Sequence, residues 1–209
     1  MGKPTSYKRY GYPMLPPILQ RVKSAGFKVF DNGRWDVNLV AIRSKDRTAG
    51  AYDDLICIAA REYVNGPWVC RYYPCTVDPG AEWEARGGMR PEGVAVVANG
   101  QHRGAYSIGI HRRGSKTAHE ALVQTGPIAI YRDANRDGRI DMTGPRLEGQ
   151  RVFCNIHKGG TYGQAVGLWS AGCTAIPRPW FTDFMYHIKK QIEFNPSWKT
   201  YTYTILPEE

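Results

Sequence analysis

No apolar run in this chain goes far before glycine or proline interrupts it. Twenty-three glycines and fourteen prolines break the sequence into short β-rich stretches. That rhythm excludes a helical bundle and predicts a mainly β protein with few helices. With 209 residues, 42% of them hydrophobic, the chain can bury one substantial core. The main exception to the strand rhythm is Phe181 to about Phe194, where Phe184, Ile188 and Ile192 recur at helical spacing. Pro16 to Gly26 reads as a shorter helix, proline at its start and glycine at its end. Phe27–Phe30 and Val37–Arg43 read as a hairpin around Asp31-Asn32-Gly33-Arg34, and Tyr201–Leu206 as a terminal strand. The expected organisation is an N-terminal arm with a small helix and hairpin extension over residues 1–50, then one domain over 51–209.

The chemistry concentrates late in the chain. Asn155-Ile156-His157-Lys158-Gly159-Gly160 leads through Trp169 to Ser170-Ala171-Gly172-Cys173-Thr174, with His157 and Cys173 sixteen positions apart. Short apolar segments beside each residue read as buried strands, and a Gly-rich loop joins them. Two such strand ends can bring an imidazole to a thiol. A free thiol has a pKa near ~8.5 and is a weak nucleophile until a base or an imidazolium activates it. On this reading Cys173 is the nucleophile and His157 the base and later the acid. The amides of Gly172 and Cys173 would receive an oxyanion, and Ser170 would support the pair through its hydroxyl or by its carbonyl orienting His157.

These residues carry a resemblance. Ile156-His157 and Ser170-Ala171-Gly172-Cys173 resemble the signature of the L,D-transpeptidase (YkuD-like) catalytic domain. Thr76-Val77-Asp78-Pro79-Gly80 looks like that family's Thr-Pro-x-Gly turn with the proline displaced, and Ile56–Tyr73 like its opening hairpin, so the resemblance runs from about Leu55 to Trp180. It implies a β-sandwich or mixed-sheet catalytic domain and acyl transfer on peptidoglycan stem peptides through a cysteine thioester. The chain departs from the pattern at Ala175, where the family usually has arginine, and at Ala171, where it often has a second histidine. That arginine is thought to hold a substrate carboxylate. Its loss favours hydrolysis, as in an endolysin-like L,D-carboxypeptidase or endopeptidase, over cross-linking by a transpeptidase. A non-catalytic wall-binding or phage virion structural protein is the remaining alternative.

Further residues fall around this pair. The basic run Ile110 to Lys116 offers His111, Arg112 and Arg113 as contacts for substrate carboxylates, a solvated loop being the alternative, and Gly159 and Trp169 are added as substrate-binding residues. Asp133-Ala134-Asn135-Arg136-Asp137-Gly138, followed by Asp141, matches the D-x-N-x-D-G core of a calcium loop. Its twelfth position is Gly144 rather than glutamate. A structural Ca²⁺ held by Asp133, Asn135, Asp137 and Asp141 stands against an Asx-rich turn closed by its own hydrogen bonds. The chemistry itself requires no cofactor.

The net charge of +9 suits a polyanionic partner. No helix-turn-helix, RNP-like or zinc-finger pattern points to nucleic acid, so an anionic cell wall is the expected partner. Five cysteines without a C-x-x-C pair indicate a reduced chain made in the cytoplasm, and no apolar run has membrane-spanning length. The N-terminus carries no apolar signal region, which suits a phage-encoded lysis enzyme or a virion-associated one acting on the wall. Met1-Gly2-Lys3-Pro4-Thr5-Ser6 fits an N-acylation pattern, read as coincidence. Oligomeric state is not legible.

Overall fold

A computed structural model describes residues 6–209; of the acylation-like pattern Met1–Ser6, all but Ser6 lies outside them. In chain order the elements are β1 (Ser6–Tyr10), α1 (Pro17–Ser24), β2 (Asn38–Arg43), β3 (Asp54–Arg61), β4 (Trp68–Cys75) and α2 (Ala81–Ala85). Then follow β5 (Val94–Val97), β6 (Gly100–His111), β7 (His119–Gln124), β8 (Ile128–Asp133), β9 (Leu147–Gln150) and β10 (Ile156–Lys158). A 3-10 turn (Gly167–Trp169), β11 (Thr174–Ile176), α3 (Arg178–Phe194) and β12 (Thr200–Pro207) complete the chain. The protein is mainly β, as the glycine and proline rhythm requires.

Nine strands form one mixed sheet in the order β1-β4-β3-β2-β12-β6-β7-β10-β11, and β5-β8-β9 form a small antiparallel sheet. Alternation along the central strands divides the interior in two. On β3, Ile56, Ile58 and Ala60 join the larger core, while Cys57 and Ala59 face the smaller one under α1. On β2, Leu39 and Ala41 point to the first and Val40 to the second. Helix α1 closes the smaller core with Ile18, Leu19 and Val22.

The larger core takes Phe181, Phe184, Met185 and Ile188 from α3 and Val97, Ile128 and Ile130 from the small sheet. Burying each such side chain contributes roughly 1.5–3 kcal/mol, and the edge-on contact of Tyr73 with Phe184, centroids 5.5 Å apart, adds to that. Tertiary burial of this stripe explains why the one long helical periodicity in the sequence forms a helix.

Within the expected N-terminal extension, residues 38–43 belong to the main sheet. Strand β2 lies inside the large sheet, antiparallel to β3 and parallel to β12. Its residues are buried on both faces, which makes it a central strand rather than one arm of a local hairpin. Residues 27–30 form no strand; the Asn38 side chain instead accepts from the Phe30 N–H and donates to its carbonyl, both at 2.8 Å. Likewise β12 is terminal in sequence but central in space, between β2 and β6. No helix among the described residues is long and apolar enough to cross a membrane.

Candidate active site

The site is built where β6, β7, β10 and β11 meet at one end of the large sheet. Strands β10 and β11 run parallel, with His157 opposite Ala175. Cys173 lies in the bend just before β11, two residues ahead of Ala175. The turn carrying the thiol is tightly specified. Gly172 has φ +124°, and a Cβ there would stand 2.3 Å from the Ala95 carbonyl oxygen, so no other residue fits. Ser170, fully buried, places its hydroxyl 3.0 Å from the Asp78 carbonyl and 2.7 Å from that of Cys173, and accepts the Gly172 N–H at 3.2 Å. Its own carbonyl accepts from the Gly80 N–H at 2.8 Å.

Ser170 therefore staples the Cys173 turn to the 78–80 segment and makes no hydrogen bond to His157 among the described residues. The Gly172 N–H, expected to face an oxyanion, is already taken by Ser170. His157 is oriented locally: its Nδ1 donates to the Lys158 carbonyl at 2.9 Å, which leaves Nε2 with the lone pair. That Nε2 is buried and has no hydrogen-bond partner among the described residues.

Two further imidazoles surround it. His111 stacks on His157, centroids 4.0 Å apart and planes 9° from parallel, and His119 stands edge-on at 6.0 Å. Each is fixed in one tautomer by its neighbours. The Asn155 amide donates to His111 Nδ1 at 3.0 Å, so His111 carries its proton on Nε2. His119 donates from Nδ1 to the Thr117 carbonyl at 2.9 Å and accepts the Lys158 N–H on Nε2 at 3.2 Å. The Asn155 Oδ1 in turn accepts the Gln124 N–H at 2.8 Å.

Burial and the facing His111 hold the His157 pKa down to about 3, and burial with the nearby His119 holds His111 at about 4. Burial raises the Cys173 thiol to about 11, against the opposing effects of the Asn155 N–H and the Arg112 charge. The resting site is thus a neutral thiol and a neutral imidazole, not the thiolate–imidazolium pair that a low-pH reactive cysteine requires. The reason is desolvation: burial without a counter-ion disfavours both charged forms. Cys57, Cys70, Cys75 and Cys154 are fully buried; Cys173 alone is partly exposed among the described cysteines.

Two clefts meet at Phe153, whose carbonyl lies 3.7 Å from Cys173 Sγ, and Cys173 itself lines neither. One, of about 470 Å³, is walled by His111, Arg112, Arg113 and Asn155. The other, of about 250 Å³, is walled by Arg90, Arg132, Arg151 and Ala171. Phe153 stands 75% exposed with φ +58°, a left-handed backbone that costs a β-carbon residue on the order of 1 kcal/mol. Clefts of 420 and 540 Å³ lie elsewhere, beside Trp35 and Trp198.

His111, Arg112 and Arg113 therefore come together in one cleft with Phe153 and Asn155. Trp169 and Gly159 line neither cleft: Trp169 packs with Tyr52, Val166 and Ala175, and a Cβ on Gly159 would meet the Tyr52 hydroxyl at 2.5 Å. Ala175 is sealed in that cluster with no exposed surface, so a long arginine at this position has no room. Asn155, His119, Phe153, Arg90, Arg132 and Arg151 were not foreseen, because strand pairing and loop return, not local motif, bring them here. The alternation in His119-Glu120-Ala121-Leu122 was the one available hint for His119.

The calcium-like segment is a closed Asx network. Asp133 accepts the Asn135 and Asp141 N–H groups at 3.3 and 2.8 Å, and Asp137 accepts the Arg139 N–H at 2.9 Å. Among the described residues, no three acidic, imidazole or thiol side chains converge at metal-binding geometry. Compared with protein-family models, curated proteins and solved structures, the chain matches none of them.

Proposed function

We propose that this chain is a cysteine-nucleophile acyl-transfer enzyme of the L,D-transpeptidase (YkuD-like) kind, acting on peptidoglycan stem peptides with water as the favoured acceptor. The observation that carries the reading is the buried, unpartnered lone pair of His157 Nε2 on β10, the strand that pairs with β11 just after the Cys173 turn. A neutral base with no partner is what a thiol needs when no thiolate exists beforehand.

Attack would then be concerted with proton transfer. Sγ bonds to the substrate carbonyl carbon while the thiol proton moves to His157 Nε2. The imidazolium returns that proton to the leaving amine as the C–N bond breaks, leaving a thioester. Water, losing a proton to the same nitrogen, hydrolyses the thioester and frees the thiol. Arg112 is the cation best placed to favour negative charge at the reacting sulfur and oxygen, since its charge already acts on Cys173. The arginines of the two clefts suit the carboxylates of a stem peptide and replace in function the arginine missing at Ala175. A phage-encoded lysis or virion-associated enzyme fits the charge and the reduced cysteines.

The experiment is mass spectrometry of peptidoglycan fragments incubated with the protein and with Cys173→Ala. Loss of a terminal residue or a cross-link only with the intact thiol establishes hydrolysis and names the bond. Exchange with an added D-amino acid establishes transpeptidation. A second reading, a wall-binding or virion structural protein, is favoured by the high thiol pKa and the lack of a His157–Cys173 hydrogen bond. Fragments unchanged by either protein, with binding retained, would select it.

A further inference from the structure

The backbone around Phe153 is held in a costly shape by one buried side chain, Gln124. Its amide is fully used. Oε1 accepts the Val152 N–H at 3.2 Å and the Cys154 N–H at 3.1 Å, while Nε2 donates to the Gly126 and Gln150 carbonyls at 2.9 and 2.8 Å. The residue between the two clamped N–H groups is Phe153, set at its positive φ and turned out into solvent. Its ring joins none of the buried apolar clusters. Strain that a second residue enforces, and that no packing of the strained side chain offsets, is the signature of a ligand contact.

Positive charge is arranged on both sides of this ring. One of the clefts that Phe153 lines carries Arg112 and Arg113, the other Arg90, Arg132 and Arg151, and neither has an acidic residue in its wall. Among the described residues none of these five arginines makes an ion pair. Arg132 and Arg151 each give one nitrogen to a backbone carbonyl, that of Gly93 at 3.1 Å and that of Thr125. Such bonds fix a guanidinium without neutralising it. The exposed Met89 adds apolar surface to the three-arginine cleft.

Unneutralised cations on either side of an apolar ring complement a chain with carboxylates on either side of an apolar segment. We propose that Phe153 is a substrate platform and that the two clefts form one groove, which takes a peptide bearing a carboxylate on each side of the bond presented to Cys173. The apolar segment between the carboxylates lies on the Phe153 ring, and the Phe153 carbonyl, 3.7 Å from Sγ, marks where that segment meets the thiol. That this bond is cut rests on the acyl-transfer reading above; the two-sided recognition does not. The consequence is specificity: a peptide with either carboxylate masked is a poor ligand.

The test is calorimetric binding of synthetic stem peptides to the full chain carrying Cys173→Ala. The peptides have both flanking carboxylates free, one or the other amidated, or both amidated. Each amidation should weaken binding about tenfold at low salt. Arg113→Gln should cancel the cost of amidating one carboxylate and Arg90→Gln the cost of amidating the other. Phe153→Asn should weaken binding of the doubly charged peptide roughly tenfold or more. It should nevertheless melt at or above the parent chain, because asparagine tolerates left-handed backbone. Phe153→Tyr should retain the affinity. Affinity indifferent to amidation, or both arginine variants cancelling the same amidation, overturns the two-sided groove. Affinity unchanged in Phe153→Asn, or lost only together with the fold, overturns the platform. Wild-type turnover of the same peptides is followed separately. Turnover without carboxylate dependence overturns the groove alone, and carboxylate-dependent binding without turnover overturns the acyl-transfer reading alone.

Discussion

The two halves of the large sheet bury their ionisable groups in opposite ways. In the half formed by β2, β3 and β4, the buried arginines sit at strand ends and meet carboxylates, while Asp54, at the start of β3, is held by the Ser44 and Val77 N–H groups. Arg43, at the end of β2, lies 3.1 Å from Asp78, and Arg61, at the end of β3, pairs with Asp31. Between those ends the strands are apolar, with Ile56 and Ile58 essentially without exposure. In the half formed by β6, β7, β10 and β11, three imidazoles share one site with no carboxylate bonded to any of them. Paired burial secures architecture and is weak evidence of chemistry. Among the described residues Arg43 Nε, Arg47 Nη2 and Trp68 Nε1 are also buried without a partner, but these are donors, whereas His157 Nε2 is a lone pair able to take a proton, and that is why the proposed catalysis is sited in the second half.

The largest expected effect tests this contrast directly. His157→Gln keeps a polar side chain of similar length but removes the base. Turnover of stem peptide should fall about 10²–10⁴-fold, equivalent to roughly 3–5 kcal/mol of transition-state stabilisation. The melting temperature should hold or rise, since a buried unpartnered atom is lost. A variant that unfolds while the residual folded fraction stays active would place His157 with the architectural groups instead.

The first half should respond in the reverse sense. Ile56→Ala removes a fully buried side chain from the larger core and should cost about 2–5 kcal/mol in denaturant unfolding. Alkylation of Cys173 by iodoacetamide, measured at pH 9 in the folded protein, should change less than twofold. A large change in thiol reactivity would mean that the halves are coupled through the core.

Acid sharpens the comparison next. The His157 pKa is depressed from an ordinary value near ~6.5 to about 3, so the unfolded chain binds the proton first. Stability from this group is complete above about pH 6.5 and is lost as pH falls toward about 3. Asp54, raised by burial to about 7, runs the other way over an overlapping range. The clean measurement is therefore the difference between the wild type and His157→Gln. Between pH 7 and pH 4 the wild type should lose about 3 kcal/mol more than the variant by chemical denaturation. Equal losses would mean that His157 is solvated and able to take a proton in the folded state.

The same contrast explains what the sequence disclosed. The His157 and Cys173 segments were legible because each is a local motif beside an apolar strand. The α3 stripe was legible because its period is 3.6 over seventeen residues. The central place of β2 and β12 was not, since it depends on pairing across some 160 residues of chain between Leu39 and Tyr203. The protonation state was equally hidden. His157 next to a cysteine in a motif suggests an ion pair, but the stacking of His111 and the loss of solvent around Sγ decide otherwise.

The smallest effect isolates the hydrogen bond that sets the His111 tautomer. Asn155→Asp retains an oxygen to accept the Gln124 N–H but removes the amide that donates to His111 Nδ1. The remaining oxygen can only accept, so His111 must carry a proton on Nδ1 and is drawn toward the imidazolium. Its pKa, held at about 4 in the wild type, should rise by one unit or more in an NMR titration, about 1.4 kcal/mol per unit. A cationic ring stacked 4.0 Å from His157 would make that base weaker still, so stem-peptide turnover should decline several-fold while the fold is unchanged. If the His111 titration does not move, Asn155 is holding only the Gln124 backbone, and the imidazole pair is ordered by stacking alone.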